Sequence, residues 1–175
     1  FYNLEKQTLG DDELSRLIKE GIAVNSTANL ETVDDKTKTL GNPTEAALLL
    51  WLRSQGVDYL PLREGAKVIS QLTFSTERKY MATVVNSPLL KKKVLYVKGA
   101  PEIVLSHCKQ VAANGSLVPT AQMRPEIEKQ LLAYQGQAMR TLGFAYQVLG
   151  ENEDDAPYVE GRLKEGLDLT YLGVV

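Results

Sequence analysis

A single cysteine, Cys108, and a single histidine, His107, deny this chain both an internal disulfide and a Cys/His zinc cluster. The two are adjacent, at what reads as a helix end, so their side chains point in different directions; this argues against a Cys–His nucleophile pair. One cysteine suits a reducing, cytosolic environment. Long apolar runs are missing as well: the longest, Ala46 to Leu52, is of core length, far short of the roughly 18 residues that span a bilayer. The amino terminus does not read as a signal peptide. Nor is there a basic excess, because 20 Lys and Arg face 22 Asp and Glu, and a pI near 5.6 argues against a general nucleic-acid binder. The common phosphate cradles are absent too, with neither G-x-x-x-x-G-K-[ST] nor G-x-G-x-x-G anywhere. A nucleotide held here must be gripped at base and sugar by side chains, its phosphates left relatively open.

What is there describes one ordinary globular domain over residues 1–175, with 43% apolar and 24% charged residues and length enough for a real core. A monomer is the default. Phe1 stands where a start methionine would, and the apolar run Thr170 to Val175 simply stops, which leads us to expect a segment of a longer protein. Leu14, Leu17, Ile18 and Ile22 recur at helical spacing within Asp11 to Asn25. Glu31 to Thr39 reads as a loop or short edge hairpin. Asn42-Pro43-Thr44-Glu45 opens a helix, with Asn42 as cap, Pro43 at the first position and Glu45 closing a capping box; Gly56 ends it. Ala66 to Phe74, Tyr80 to Asn86 and Val94 to Lys98 read as strands joined by short connections, hence antiparallel. Pro101 to Cys108 is a short helix, Asn114-Gly115 a hairpin turn, Pro125 to Arg140 a helix, Thr141 to Leu149 a strand, and Glu151 to Pro157 an acidic surface loop. The fold class is α+β: a twisted antiparallel sheet flanked by helices.

Four segments carry chemistry, each with a plainer reading beside it. Tyr96 to Glu102 is a strand ending in Lys98-Gly99-Ala100 before a helix, which presents an ammonium group and bare backbone at a sheet rim and suits an anionic or nucleotide ligand; a strand-end lysine is otherwise just solvated. In Phe74-Ser75-Thr76-Glu77-Arg78-Lys79-Tyr80-Met81 an aromatic, a polar turn and basic residues can stack a base and approach a phosphate, or Phe74 is core and the charges belong to a hairpin. Glu45 can accept from an adenine amino group, or cap its helix. Arg140, where a helix gives way to a strand, can fork onto a polyphosphate, or answer the helix dipole. A fifth segment, Asp35-Lys36-Thr37-Lys38-Thr39-Leu40, looks like the phosphorylated Asp-Lys-Thr-Gly-Thr-Leu-Thr sequence of cation-pumping ATPases. Lys38 replaces its glycine and no threonine follows Leu40. It lies in a charged loop rather than at the end of a buried strand, and we read it as coincidence.

Taken together, Gly41-Asn42-Pro43-Thr44-Glu45-Ala46-Ala47-Leu48-Leu49, Phe74-Ser75-x-x-Arg78-Lys79-x-Met81, Lys98-Gly99-Ala100-Pro101-Glu102 and Met139-Arg140-Thr141-Leu142 stand in the order found in the nucleotide-binding domain of P-type cation-transporting ATPases. The resemblance covers nearly the whole chain and is closest in wording to calcium pumps. It implies that Phe74 stacks on adenine and that Glu45 hydrogen-bonds near its amino group. Lys98 would lie deep in the pocket, with Gly99 and Ala100 letting the base approach the backbone. Lys79 and Met81 would line the wall, and Arg140 and Leu142 would close the far side. Thr76 departs from the arginine of some animal calcium pumps, so a phosphate contact from that position is lost. The ligand implied is ATP, brought as MgATP. The partners implied are the phosphorylation and actuator domains of the same polypeptide, with residues 170–175 beginning the return strand to the phosphorylation domain. The resemblance also implies a location on the cytoplasmic face of a membrane, to which only the missing transmembrane part attaches. The phosphorylated aspartate lies outside the fragment, so the fragment is expected to be inactive by itself. A non-catalytic interaction domain, or a degenerate pump domain without ATP binding, is the alternative.

Overall fold

The computed structural model describes residues 2–3, 5–6 and 8–175. In chain order the elements are β1 (Tyr2–Asn3), β2 (Glu5–Lys6), α1 (Glu13–Val24), β3 (Asn29–Val33), β4 (Lys36–Leu40), α2 (Pro43–Ser54) and α3 (Tyr59–Gly65). There follow β5 (Lys67–Leu72), β6 (Tyr80–Ser87), β7 (Lys92–Gly99), α4 (Pro101–Ser106), β8 (Cys108–Ala113), β9 (Ser116–Pro119) and α5 (Thr120–Gly136). The chain closes with β10 (Gly143–Leu149), β11 (Tyr158–Val159), β12 (Arg162–Leu163) and β13 (Leu169–Val174).

The main sheet runs β2-β1-β13-β10-β7-β6-β5, and β8 with its hairpin partner β9 joins on the edge of β13. All its pairings are antiparallel except one: β13 lies parallel to β8, because α5 and β10 intervene between them. The sheet is antiparallel, as the short connections lead one to expect, except at that single junction. Residues 170–174 lie within β13, an interior strand that pairs with β10, β8 and β1.

Both faces of the sheet are covered, so β6 and β7 carry nearly continuous buried runs rather than an alternation. Their side chains still alternate between two cores. Val85, Val94 and Tyr96 meet Ile18, Ile22, Leu49 and Leu52 of α1 and α2 on one face. Val84, Leu95 and Val97 meet Val104, Leu105, Ile127 and Leu131 of α4 and α5 on the other. The helix starts are built as their sequences suggest: Asp12 accepts from the Ser15 amide at 3.1 Å, and Asn42 accepts from the amides of Thr44 at 2.9 Å and Glu45 at 3.2 Å. Gly56 (φ +75°) follows α2.

Several boundaries differ from the sequence reading, among them the end of α5 at Gly136, which leaves Arg140 in the connection to β10 and not at a helix end. Asp58 caps α3 through the Leu60 amide, a seven-residue helix holding Pro61 that the pattern did not reveal. Helix α5 begins at Thr120 and holds Pro125 within it, where the absent N–H leaves the Ala121 carbonyl without its helical partner. Cys108 opens β8 instead of closing α4. Residues 29–40 form the hairpin β3–β4, whose Asp34 (φ +50°) and Asp35 (φ +58°) make its left-handed two-residue turn. Asp35 thus sits at the tip of an exposed hairpin.

Candidate functional site

One end of the sheet, where β7 stops and α4 starts, forms a cleft of about 660 Å³. Its walls come from four distant stretches: Glu45 of α2 with Asn42 and Thr44 before it; Thr73, Phe74, Thr76 and Lys79 from the β5–β6 connection, with Met81 at the start of β6; Lys98, Gly99 and Ala100 from the end of β7; and Arg140, Thr141 and Leu142 leading into β10. All nine residues singled out from the sequence meet there. Thr27, from the segment between α1 and β3, completes the lining.

The floor is an ion pair. Lys98 Nζ lies 2.8 Å from Glu45 Oε1 and also donates to the Asn25 carbonyl. Glu45 Oε2 accepts from the Thr27 amide at 3.0 Å and the Thr27 hydroxyl at 2.8 Å. Glu45 therefore does not reach back to its own helix start; Asn42 caps α2 alone, and the capping-box reading is corrected. The reason is energetic: a buried ammonium needs a carboxylate far more than an exposed helix end needs a second cap. Burial pushes the Glu45 carboxyl up, but the adjoining Lys98 ammonium and the Thr27 donors outweigh it and leave the group below the usual range. Burial pulls Lys98 below the ordinary lysine value, with Glu45 opposing the shift. Each partner keeps spare capacity. An ammonium has three donors, two of them used here, and Oε1 retains a lone pair.

Asn25, buried beneath the floor, accepts from the Thr83 hydroxyl at 2.7 Å. Its amide nitrogen faces the carbonyls of Met81 at 3.3 Å and Tyr96 at 3.4 Å. This residue and Thr27 went unnoticed in the sequence. Their one available signal was Asn25-Ser26-Thr27 directly after a helix, which reads as a simple terminus.

The rim is different. Phe74 is 50% exposed, which rules out the core reading of that residue. Lys79 (φ +62°) sits in a left-handed turn closed by its amide to the Ser75 carbonyl at 2.8 Å, while its own carbonyl accepts from the Ala100 amide at 2.9 Å. That carbonyl explains Gly99. A Cβ at Gly99 would lie 2.7 Å from Tyr80 Cα and closer still to the Lys79 oxygen, so only glycine fits between the strand ends. Arg140 is exposed and forms no ion pair among the described residues. Arg78, by contrast, turns away and donates to the Thr73 carbonyl. His107 packs edge-on against Tyr80 at 5.3 Å, and burial pushes the Cys108 thiol up to about 12, so neither is a nucleophile or ligand of this cleft. No helix among the described residues is long and apolar enough to cross a membrane.

An α+β domain whose cleft opens where a strand ends in Lys-Gly-Ala is the class the geometry defines. The model of the family described as P-type ATPase, cytoplasmic domain N, matches residues 13–175. The chain is 32% identical over 164 residues to calcium-transporting ATPase PAT1 of Dictyostelium discoideum, covering 91% of this chain and 14% of that protein. It is 29% identical over 128 residues to calcium-transporting ATPase 1 of Lactococcus lactis, covering 73% and 14%. Against calcium-transporting ATPase 4, plasma membrane-type, of Arabidopsis thaliana the identity is 32% over 160 residues, covering 89% and 15%. The chain belongs to the P-type ATPase cytoplasmic domain N family. It matches only 14–15% of the length of these relatives.

Proposed function

We propose that this cleft binds the adenosine end of MgATP and presents the γ-phosphate to the aspartate of a neighbouring phosphorylation domain. The observation that carries the reading is the convergence of four separate segments on one cleft with a paired charge at its floor and a half-exposed aromatic at its mouth. The base stacks on Phe74. Its edge, an amino donor beside a ring-nitrogen acceptor, meets the spare lone pair of Glu45 and the spare proton of Lys98. Met81 and Leu142 supply apolar walls, Gly99 and Ala100 leave backbone within reach, and Lys79 and Arg140 stand at the mouth for the ribose and phosphates. No group of three His, Cys, Asp or Glu suited to a metal gathers among the described residues, and Mg²⁺ in this reading travels with the triphosphate. Phosphoryl transfer is accelerated mainly by positioning and charge stabilisation, and positioning is this domain's share. By analogy with the relatives' names, the parent transports calcium across a membrane, with this domain on the cytoplasmic side working with the phosphorylation and actuator domains. The chain by itself binds ATP without hydrolysing it.

With one stacking face and few phosphate contacts, the affinity is expected between about 0.1 and 5 mM. Titrating MgATP into the isotope-labelled chain, beside Phe74→Ala, tests this. Saturable shifts in the four cleft segments, lost in the variant, support it. An absence of shifts at about 10 mM overturns it in favour of a protein-interaction domain or a degenerate pump domain.

A further inference from the structure

Arg63 lies outside the cleft, yet it holds the piece of backbone on which the cleft floor rests. From α3 its Nε donates to the Ala23 carbonyl at 2.8 Å, and its Nη1 donates to the Ala28 carbonyl at 2.9 Å and to Asn29 Oδ1 at 2.8 Å. The guanidinium is stacked 4.6 Å over the Tyr59 ring, and Tyr59 in turn accepts from the Leu30 amide at 2.9 Å. One fork therefore spans the end of α1 and the start of β3. Between its two anchor points lie Asn25, whose carbonyl takes a proton of Lys98, and Thr27, whose amide and hydroxyl both bind Glu45. Arg63 and Tyr59 thus brace this segment from α3, while Asn25 ties it to β6 and β7.

We propose that Arg63 is a positioning residue for the nucleotide cleft, acting through the 23–29 segment to hold Asn25 and Thr27 against the Lys98–Glu45 pair. This rests on the ATP-binding reading above. The spread of donors on a planar guanidinium suits the position: Nε and Nη1, on different sides of the group, reach two carbonyls and an amide oxygen, which a lysine point charge cannot bridge together. The guanidinium also leaves Nη2 buried without a partner. An apolar residue would fill the same space without that cost, so simple packing does not account for an arginine here. Its charge acts in the same sense, since Arg63 and Glu45 attract while Arg63 and Lys98 repel.

The test compares wild type, Arg63→Met and Arg63→Lys in the whole chain, each checked for folding by thermal melting. Three quantities are read: MgATP affinity, the Thr27 amide proton shift, and the pH titration of the Glu45 carboxyl by ¹³C NMR. Arg63→Met is expected to weaken MgATP roughly three- to thirtyfold, within the range of coupling between residues sharing a network. It should also move the Thr27 amide away from its hydrogen-bonded position and raise the Glu45 titration. Arg63→Lys, which keeps the charge but not the fork, should restore these only in part. In a Thr27→Val background the effect of Arg63→Met on affinity should shrink. A lowered melting temperature with wild-type affinity, Thr27 shift and Glu45 titration in the folded variant overturns the proposal, and so does full restoration by Arg63→Lys. If wild type itself fails to bind MgATP, the functional reading falls, and the Thr27 and Glu45 signals, which need no ligand, still decide the role of Arg63.

Discussion

The floor and the rim of the cleft each carry a lysine beside a strand end, but in opposite states. At the floor, Lys98 and Glu45 are buried, and each is bound both to the other and to the 25–27 segment. At the rim, Lys79, Arg140 and Phe74 are exposed, and Arg140 has no carboxylate within ion-pair reach among the described residues. The floor is finished before any ligand arrives, so its removal damages the fold as well as binding. The rim contributes little to the fold and is free to spend its interactions on a ligand. A lysine at a strand end thus means two different things in one site, and burial decides which.

Substitutions should separate the two regions, the largest effect coming from the floor. Lys98→Ala leaves Glu45 as a buried, underpaired charge and is expected to destabilise the chain by about 3–5 kcal/mol in denaturant unfolding, with Glu45→Met in the same chain recovering much of the loss. Gly99→Ala forces a methyl into the β6 backbone and should cost about 2–3 kcal/mol by the same measurement. Phe74→Ala should leave stability within about 0.5 kcal/mol but weaken MgATP by about 1–3 kcal/mol, roughly five- to 150-fold, as lost base stacking does. Arg140→Ala should be smallest, a change of about two- to fivefold in MgATP affinity that fades as salt rises, because an exposed charge is screened.

Acid gives a further contrast. The folded Glu45 carboxyl lies below its ordinary value of 4.5, so the unfolded chain binds its proton first as pH falls. The stability that Glu45 contributes is therefore fully present above about pH 4.5 and is lost as pH drops through the lower folded value. Denaturant midpoints followed from pH 6 to pH 3 should fall more steeply in wild type than in Glu45→Gln.

Much of this was legible in the sequence, and the parts that were not have a common cause. Capped helices such as α1 and α2, and strands rich in β-branched residues such as β6 and β7, announce themselves locally. The four motifs also held the nine residues that meet in the cleft, because each lies at, or within a few residues of, the end of a strand or helix that a local pattern marks. Helix α3 escaped because Gly56, Pro61 and Gly65 masked seven residues of helix. The parallel β13–β8 pair escaped because it joins strands separated by α5 and β10, a long-range choice that no turn signal records. Glu45 was legible as a helix-start residue but not as the counter-ion of Lys98, since that pair forms across 53 residues. Asn25, Thr27 and Arg63 were missed for the same reason: each acts through hydrogen bonds to backbone or side chains remote in sequence.

The most direct test of the cleft is a search for intermolecular NOEs between the adenine protons of MgATP and the labelled chain at several times the measured Kd. The account expects contacts from the adenine ring to the Phe74 ring and the Met81 methyl, all absent in Phe74→Ala. Bound MgATP whose adenine touches neither residue would contradict it.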